Sequence, residues 1–147
     1  MSYADISFAD SYFDERYGAD SWVESSEQNK TKLLKTATMI IDQLNFAGEK
    51  SEEDQTNEFP RGSDTEVPLN IKRACCEIAL AILDGRDVNQ DYDALFDAAS
   101  FFDVGRLNRS TDDIHIMKIH GIPSIIAWGF LRPFLRDGSV ITLQRVS

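Results

Sequence analysis

The sequence predicts a mainly α-helical protein: a small bundle of about four helices with a long loop, a short β-ribbon and a strand-like C-terminal tail. Three observations predict it. Apolar residues recur at helical spacing in separate stretches before residue 85 and again after residue 122. Between the first stretches, residues 49–66 collapse into Glu, Asp, Ser, Thr and Asn. Alternating apolar residues appear only late, over 114–119 and 139–146. At 147 residues the chain is about one domain long, enough to bury roughly 68–70% of its unfolded surface without staples. The expected division is a helical domain over 1–137 and a tail over 138–147 for partner contact.

Ser7, with Asp10 three residues on, resembles a capping box at the start of the first helix. Phe8, Tyr12 and Phe13 then form an aromatic face, and Gly18 stops the helix. The next helix starts near Ser25 or Ser26 and carries Leu33, Leu34, Ala37, Ile40, Ile41 and Leu44 inward, ending at about Phe46. Pro68 suits the first turn of a third helix, because its missing N–H costs nothing there. Ile71, Ala74, Cys75, Ile78, Ala79 and Ile82 give that helix its stripe, and Gly85 ends it. At ~1.5 Å per residue it is about 25 Å long, the depth of a small domain, which makes it the central helix. The core scaffold is expected at Tyr12, Phe13, Trp22, Leu34, Ile41, Ile71, Ala74 and Ile78.

After Gly85, residues 92–102 suggest a short amphipathic helix and 104–120 a β-ribbon. Pro123 opens a last helix, which Pro133 kinks or ends. The alternation from Ser139 to Val146 reads as a strand in need of a partner.

An eighteen-residue connection is longer than compact domains use unless it has a job. Inside it, Phe59-Pro60-Arg61 places an apolar anchor, a rigid turn and a cation together. Two readings stand side by side. Phe59, Arg61, Glu58 and Asp64 form a contact to a neighbouring subunit, or Phe59 plugs the core and Arg61 pairs with a nearby carboxylate.

The charge is lopsided. Residues 1–66 hold six Lys or Arg against fifteen Asp or Glu, and residues 67–147 hold nine against ten. Such an acidic first half opposes tight wrapping of nucleic acid, whose phosphates are gripped by Lys and Arg. The longest apolar stretch, Ile122 to Leu131, is interrupted and too short to span a bilayer. Met1 to Asp5 lacks a secretory pattern, so a reducing interior is the expected place of synthesis.

Chemistry is sparse. His115 and His120 are five apart, which suits neither one helix face nor one strand face, even with Asp112 and Asp113 nearby. Cys75 and Cys76 are adjacent, without the C-x-x-C spacing of zinc and redox sites. The glycines are isolated and build no phosphate-binding loop. The expectation is a protein that is not an enzyme, with no catalytic residues, no metal and no cofactor.

The order of features along residues 3–85 resembles the head-to-tail adaptor, or head-completion, proteins of tailed bacteriophages. Some of these carry the label DnaT-like single-stranded DNA-binding protein. The resemblance rests on Tyr3, Ala9 to Phe13, Trp22, Lys32 to Leu34, Thr36 to Thr38, Ile40 to Asp42, Gly48 to Lys50, Gln55, Phe59 to Arg61, Val67-Pro68, Ile71, Ala74 and Glu77 to Ala79. It implies identical subunits in a ring, typically of twelve, beneath the portal protein in the neck of the virion, assembled in the host cytoplasm. Such a ring extends the DNA channel without binding DNA specifically and docks the next tail component, whether nozzle, stopper or tail tube. No membrane is involved. On that reading Arg136, Val140, Ile141, Leu143 and Arg145 are the residues to meet portal or tail. The alternative is a single-stranded DNA-binding module. That class needs a basic groove and aromatic platforms. Here Phe8, Tyr12, Phe13 and Trp22 lie on a face suited to the core.

Overall fold

A computed structural model describes residues 1–85 and 122–136. Within them the chain is mainly helical: α1 (Ile6–Asp14), α2 (Asp20–Glu24), α3 (Glu27–Asp42), α4 (Leu69–Leu83) and α5 (Ile125–Leu131), then a 3-10 turn, Arg132–Phe134. The described residues contain no strand, only two isolated antiparallel bridges. The helix expected over 92–102, the ribbon over 104–120 and the tail over 138–147 lie outside them.

Local chemistry sets the boundaries, with three corrections to the sequence reading. The cap of α1 is Asp5, whose carboxylate accepts from the Phe8 amide at 2.7 Å, and not Ser7. A carboxylate there also faces the positive end of the helix dipole. Asp10 therefore has no capping duty, and it accepts from Trp22 Nε1 at 2.8 Å and Lys30 Nζ at 3.0 Å. The second correction is α2, a short helix in a stretch to which the sequence assigns no element. It turns Trp22 into the core beside Phe13, their rings 5.0 Å apart. Ser26 caps α3. That helix ends at Asp42, short of Phe46, and leaves Phe46 free to turn into the core. Pro68 sits at the cap of α4, and Gly85, at φ +105°, ends it in the left-handed region. Ser124 caps α5 through the Ala127 amide, and Pro133 coincides with the change from α to 3-10 geometry.

α4 is the spine. Ala74 through Leu80 are all buried, and α3 and α5 pack against it. Small residues on facing helices (Ala74, Cys75 and Ala79 on α4, Ala37 on α3, Ala127 on α5) let the backbones approach closely. Trp22, Leu34, Ile41, Ile71, Ile78 and Leu131 fill the space between them.

Candidate functional site

The loop between α3 and α4 was the sequence's most conspicuous feature, and it is folded tightly onto the end of the bundle. Its base is closed like a hairpin. Gly62 N donates to the Glu49 carbonyl at 2.8 Å, and Ser51 N donates to the Pro60 carbonyl at 3.0 Å. Lys50 and Arg61 form a bridge across it. Gln55 Nε2 donates to the carbonyls of Asn57 and Pro60 and ties the tip to the base. The Phe59–Pro60 peptide bond is cis.

Phe59 points inward and is 4% exposed. Its ring meets Phe46 at 4.6 Å, Phe134 at 5.7 Å and Tyr3 at 6.0 Å, each edge to face. Arg61 is also spent within its own subunit. Its guanidinium donates to the carbonyls of Ala47, Glu58 and Gly48 and pairs with the Glu58 carboxylate at 3.1 Å. Lys50 reaches the other Glu58 oxygen at 3.4 Å. Of the four residues considered for a subunit contact, Phe59 is core, Arg61 and Glu58 are largely committed to each other, and Asp64 is exposed.

Arg136 arrives at the same place from the far end of the chain. Its amide donates to the Asn45 carbonyl at 2.8 Å, and Ala47 N donates to Phe134 O at 2.9 Å. The Arg136 guanidinium donates to the carbonyls of Phe46 and Gly48. The other residues considered for portal or tail contact, Val140, Ile141, Leu143 and Arg145, lie outside the described residues.

Two further polar clusters hold the frame. The Tyr3 hydroxyl donates to Asp42, while it accepts from the Phe59 amide at 3.1 Å, so the N-terminus, α3 and the loop meet at one point. Burial is the largest influence on both groups and pushes the Tyr3 hydroxyl and the Asp42 carboxyl up. On α4, the buried Glu77 takes a bidentate pair from Arg16 (2.6 and 2.9 Å) and a bond from the Tyr12 hydroxyl at 2.6 Å. Glu77 is a carboxylate among the buried apolar residues of α4, and the partners that hold it there, Tyr12 and Arg16, lie on or just beyond α1.

Cys75 and Cys76 are fully buried, and burial pushes both thiols up, away from the thiolate form. The described residues hold no group of three potential metal ligands. No helix among them is long and apolar enough to cross a membrane. A wide, open depression near the N-terminal ends of α1 and α3 is bounded by Ile6, Ser7, Asp10, Ser11, Glu27 and Lys30.

This arrangement defines a mainly helical domain in which the long loop is a built part of the frame. Residues 1–98 match the model of a family whose description reads "Putative DnaT-like ssDNA binding protein". The match covers two thirds of the chain, and the chain belongs to that family. It takes in α1 to α4 and the whole loop. α5 and the Arg136 clasp lie beyond it. No curated protein and no solved structure matches the chain.

Proposed function

We propose that this protein is a non-catalytic structural component of a phage virion, a head-to-tail adaptor. Identical subunits, about twelve by the resemblance noted above, ring the DNA channel beneath the portal, in the neck of the particle. They assemble in the host cytoplasm, and they hand the channel on to the next tail component. One observation carries the reading. Five of the eight aromatic side chains of residues 1–66 (Tyr3, Phe13, Trp22, Phe46 and Phe59) are buried in the core, Phe8 and Tyr12 are half-buried, and this half of the chain is strongly acidic. An acidic surface repels phosphate, which suits a wall that DNA must pass without sticking. The test is electron microscopy of the purified protein mixed with its portal. A stacked ring on the portal is expected; no complex under assembly conditions overturns the reading.

The family's description speaks more directly for a second reading, a single-stranded DNA-binding module. Tyr17, 97% exposed between α1 and α2, is the described aromatic ring most open to stack on a base. An anisotropy titration with labelled oligonucleotides at low salt separates the two. Micromolar binding with a steep salt slope, lost in Tyr17→Ala, establishes this reading; no binding removes it.

A further inference from the structure

In a chain of net charge −10, the exposed stripe of α3 carries no carboxylate. Gln28, Lys32, Lys35, Met39 and Gln43 follow one another at intervals of three and four, the spacing of one helix face, and all are exposed. The ammonium groups of Lys32 and Lys35 take part in no ion pair among the described residues, and Met39 is left 65% exposed between the polar ends. α3 packs on α4 and α1 through its other side, so no described helix covers this stripe.

The loop presents the opposite chemistry. Residues 49–66 hold seven carboxylates and two cations, and both cations pair with Glu58. Glu49, Glu52, Glu53, Asp54, Asp64 and Glu66 are exposed and form no ion pair among the described residues. Because hydrogen bonds already fix the loop, holding this charge together costs no further ordering when something binds it. Leu69, just beyond Glu66, is 51% exposed and adds an apolar contact of the kind that Met39 would meet.

We infer that the outer face of α3 is the docking site for the acidic loop of a second copy of this chain. Lys32 and Lys35 meet the Glu52–Asp54 end of the neighbour's loop, and Met39 supplies the apolar contact. The two patches differ, so the contact is heterologous: each copy offers one loop and one α3 face, and a third copy can always be added until a ring closes. This deepens the adaptor reading, on which it rests for its biological purpose, but it is tested on the purified protein without portal or DNA.

The test is a charge swap followed by sedimentation velocity in low salt. Wild-type protein is expected to associate in a concentration-dependent way, at least tenfold more weakly at high salt. Lys32→Glu/Lys35→Glu and Glu52→Lys/Glu53→Lys are each expected to sediment as monomers. Mixed in equal amounts they are expected to associate again. Every substituted side chain is exposed, and circular dichroism checks that each variant keeps its helices. A wild-type protein that stays monomeric at every concentration overturns the inference. So does a Lys32→Glu/Lys35→Glu variant that associates like wild type, or a mixture that fails to recover. Should these variants still form rings on the portal, the contact falls while the adaptor reading stands. Association in solution with no docking to portal has the opposite meaning.

Discussion

Arg61 and Arg136 donate to the same backbone carbonyl, that of Gly48, at 2.5 and 3.2 Å. One comes from the loop and the other from the end of the last described turn, so a single oxygen binds two distant parts of the chain to the exit of α3. Gly48 itself sits at φ +78°, a conformation open to glycine, and this turns its carbonyl within reach of both guanidiniums.

Arg61→Ala therefore removes donors from Ala47, Gly48 and Glu58 together. Hydrogen bonds to charged groups are worth about 1.5–3 kcal/mol each in favourable settings, and the Arg61 side chain is only 11% exposed. A loss of about 2–3 kcal/mol is expected in urea unfolding. Arg136→Ala is expected to cost less, because that residue is exposed. Because the two share an acceptor, the double variant should differ from the sum of the singles by at least about 0.5 kcal/mol. Strict additivity would show that the shared carbonyl does not couple them.

Phe59 locks the loop to the core from the apolar side. Phe59→Ala empties a site walled by Tyr3, Phe46 and Phe134, and truncations of this kind cost about 3–5 kcal/mol. For a domain of ordinary stability that is a large share of the total. Phe59→Leu keeps most of the volume and should lose well under half as much. A thermal melt of the three proteins checks the order, and an Ala variant as stable as wild type would mean that the ring does not fill the core.

The helices were legible because their signals are local. Leu34, Ala37 and Ile41, like Ile71, Ala74 and Ile78, repeat at intervals of three and four, and Ser26 and Gly85 mark ends without help from elsewhere. What escaped were the features decided by partners far along the chain. Asp5 outdid Ser7 as a cap because its carboxylate reaches the Phe8 amide. Two readings of Phe59 stayed open because its destination depends on Phe46 and Phe134, neither of which belongs to the loop. The resemblance makes Arg136 a portal or tail contact, and nothing in its sequence neighbourhood names the carbonyls of Phe46 and Gly48 as its acceptors. The lack of carboxylates on the exposed stripe of α3 acquires meaning only beside a loop that is folded and unneutralised.

The thiols offer a check on the rigidity of α4. Cys75 and Cys76 are buried and raised, so neither supplies appreciable thiolate at neutral pH, and a reagent must wait for the helix to open. With Ellman's reagent at about pH 8, near the ordinary thiol value, the native protein should react far more slowly than the denatured one. In denaturant both cysteines should titrate. Fast native reaction would place α4 outside the stable core.

Asp42 and Asp10 give opposite signs of pH dependence. Burial is the largest influence on Asp42 and leaves its carboxyl above the ordinary value, even though Tyr3 pulls it down. The folded state then keeps a proton that the unfolded chain has released. The stability from Asp42 is present below the ordinary carboxylate value and is lost as pH rises through the raised one. For Asp10, burial acts upward but is outweighed by the bonds from Trp22 and Lys30, so its carboxyl is lowered. Its contribution is present above the ordinary value and is lost as pH falls through the lowered one. Asparagine at either position removes the titration and keeps a side-chain oxygen for the hydrogen bonds. Urea unfolding from about pH 3 to about pH 6, a span around the ordinary carboxylate value, should show wild type losing stability relative to Asp42→Asn as pH rises. Over the same range it should gain relative to Asp10→Asn, by less, because that side chain is half exposed and screened. Two slopes of the same sign would mean that burial of Asp42 does not dominate its surroundings.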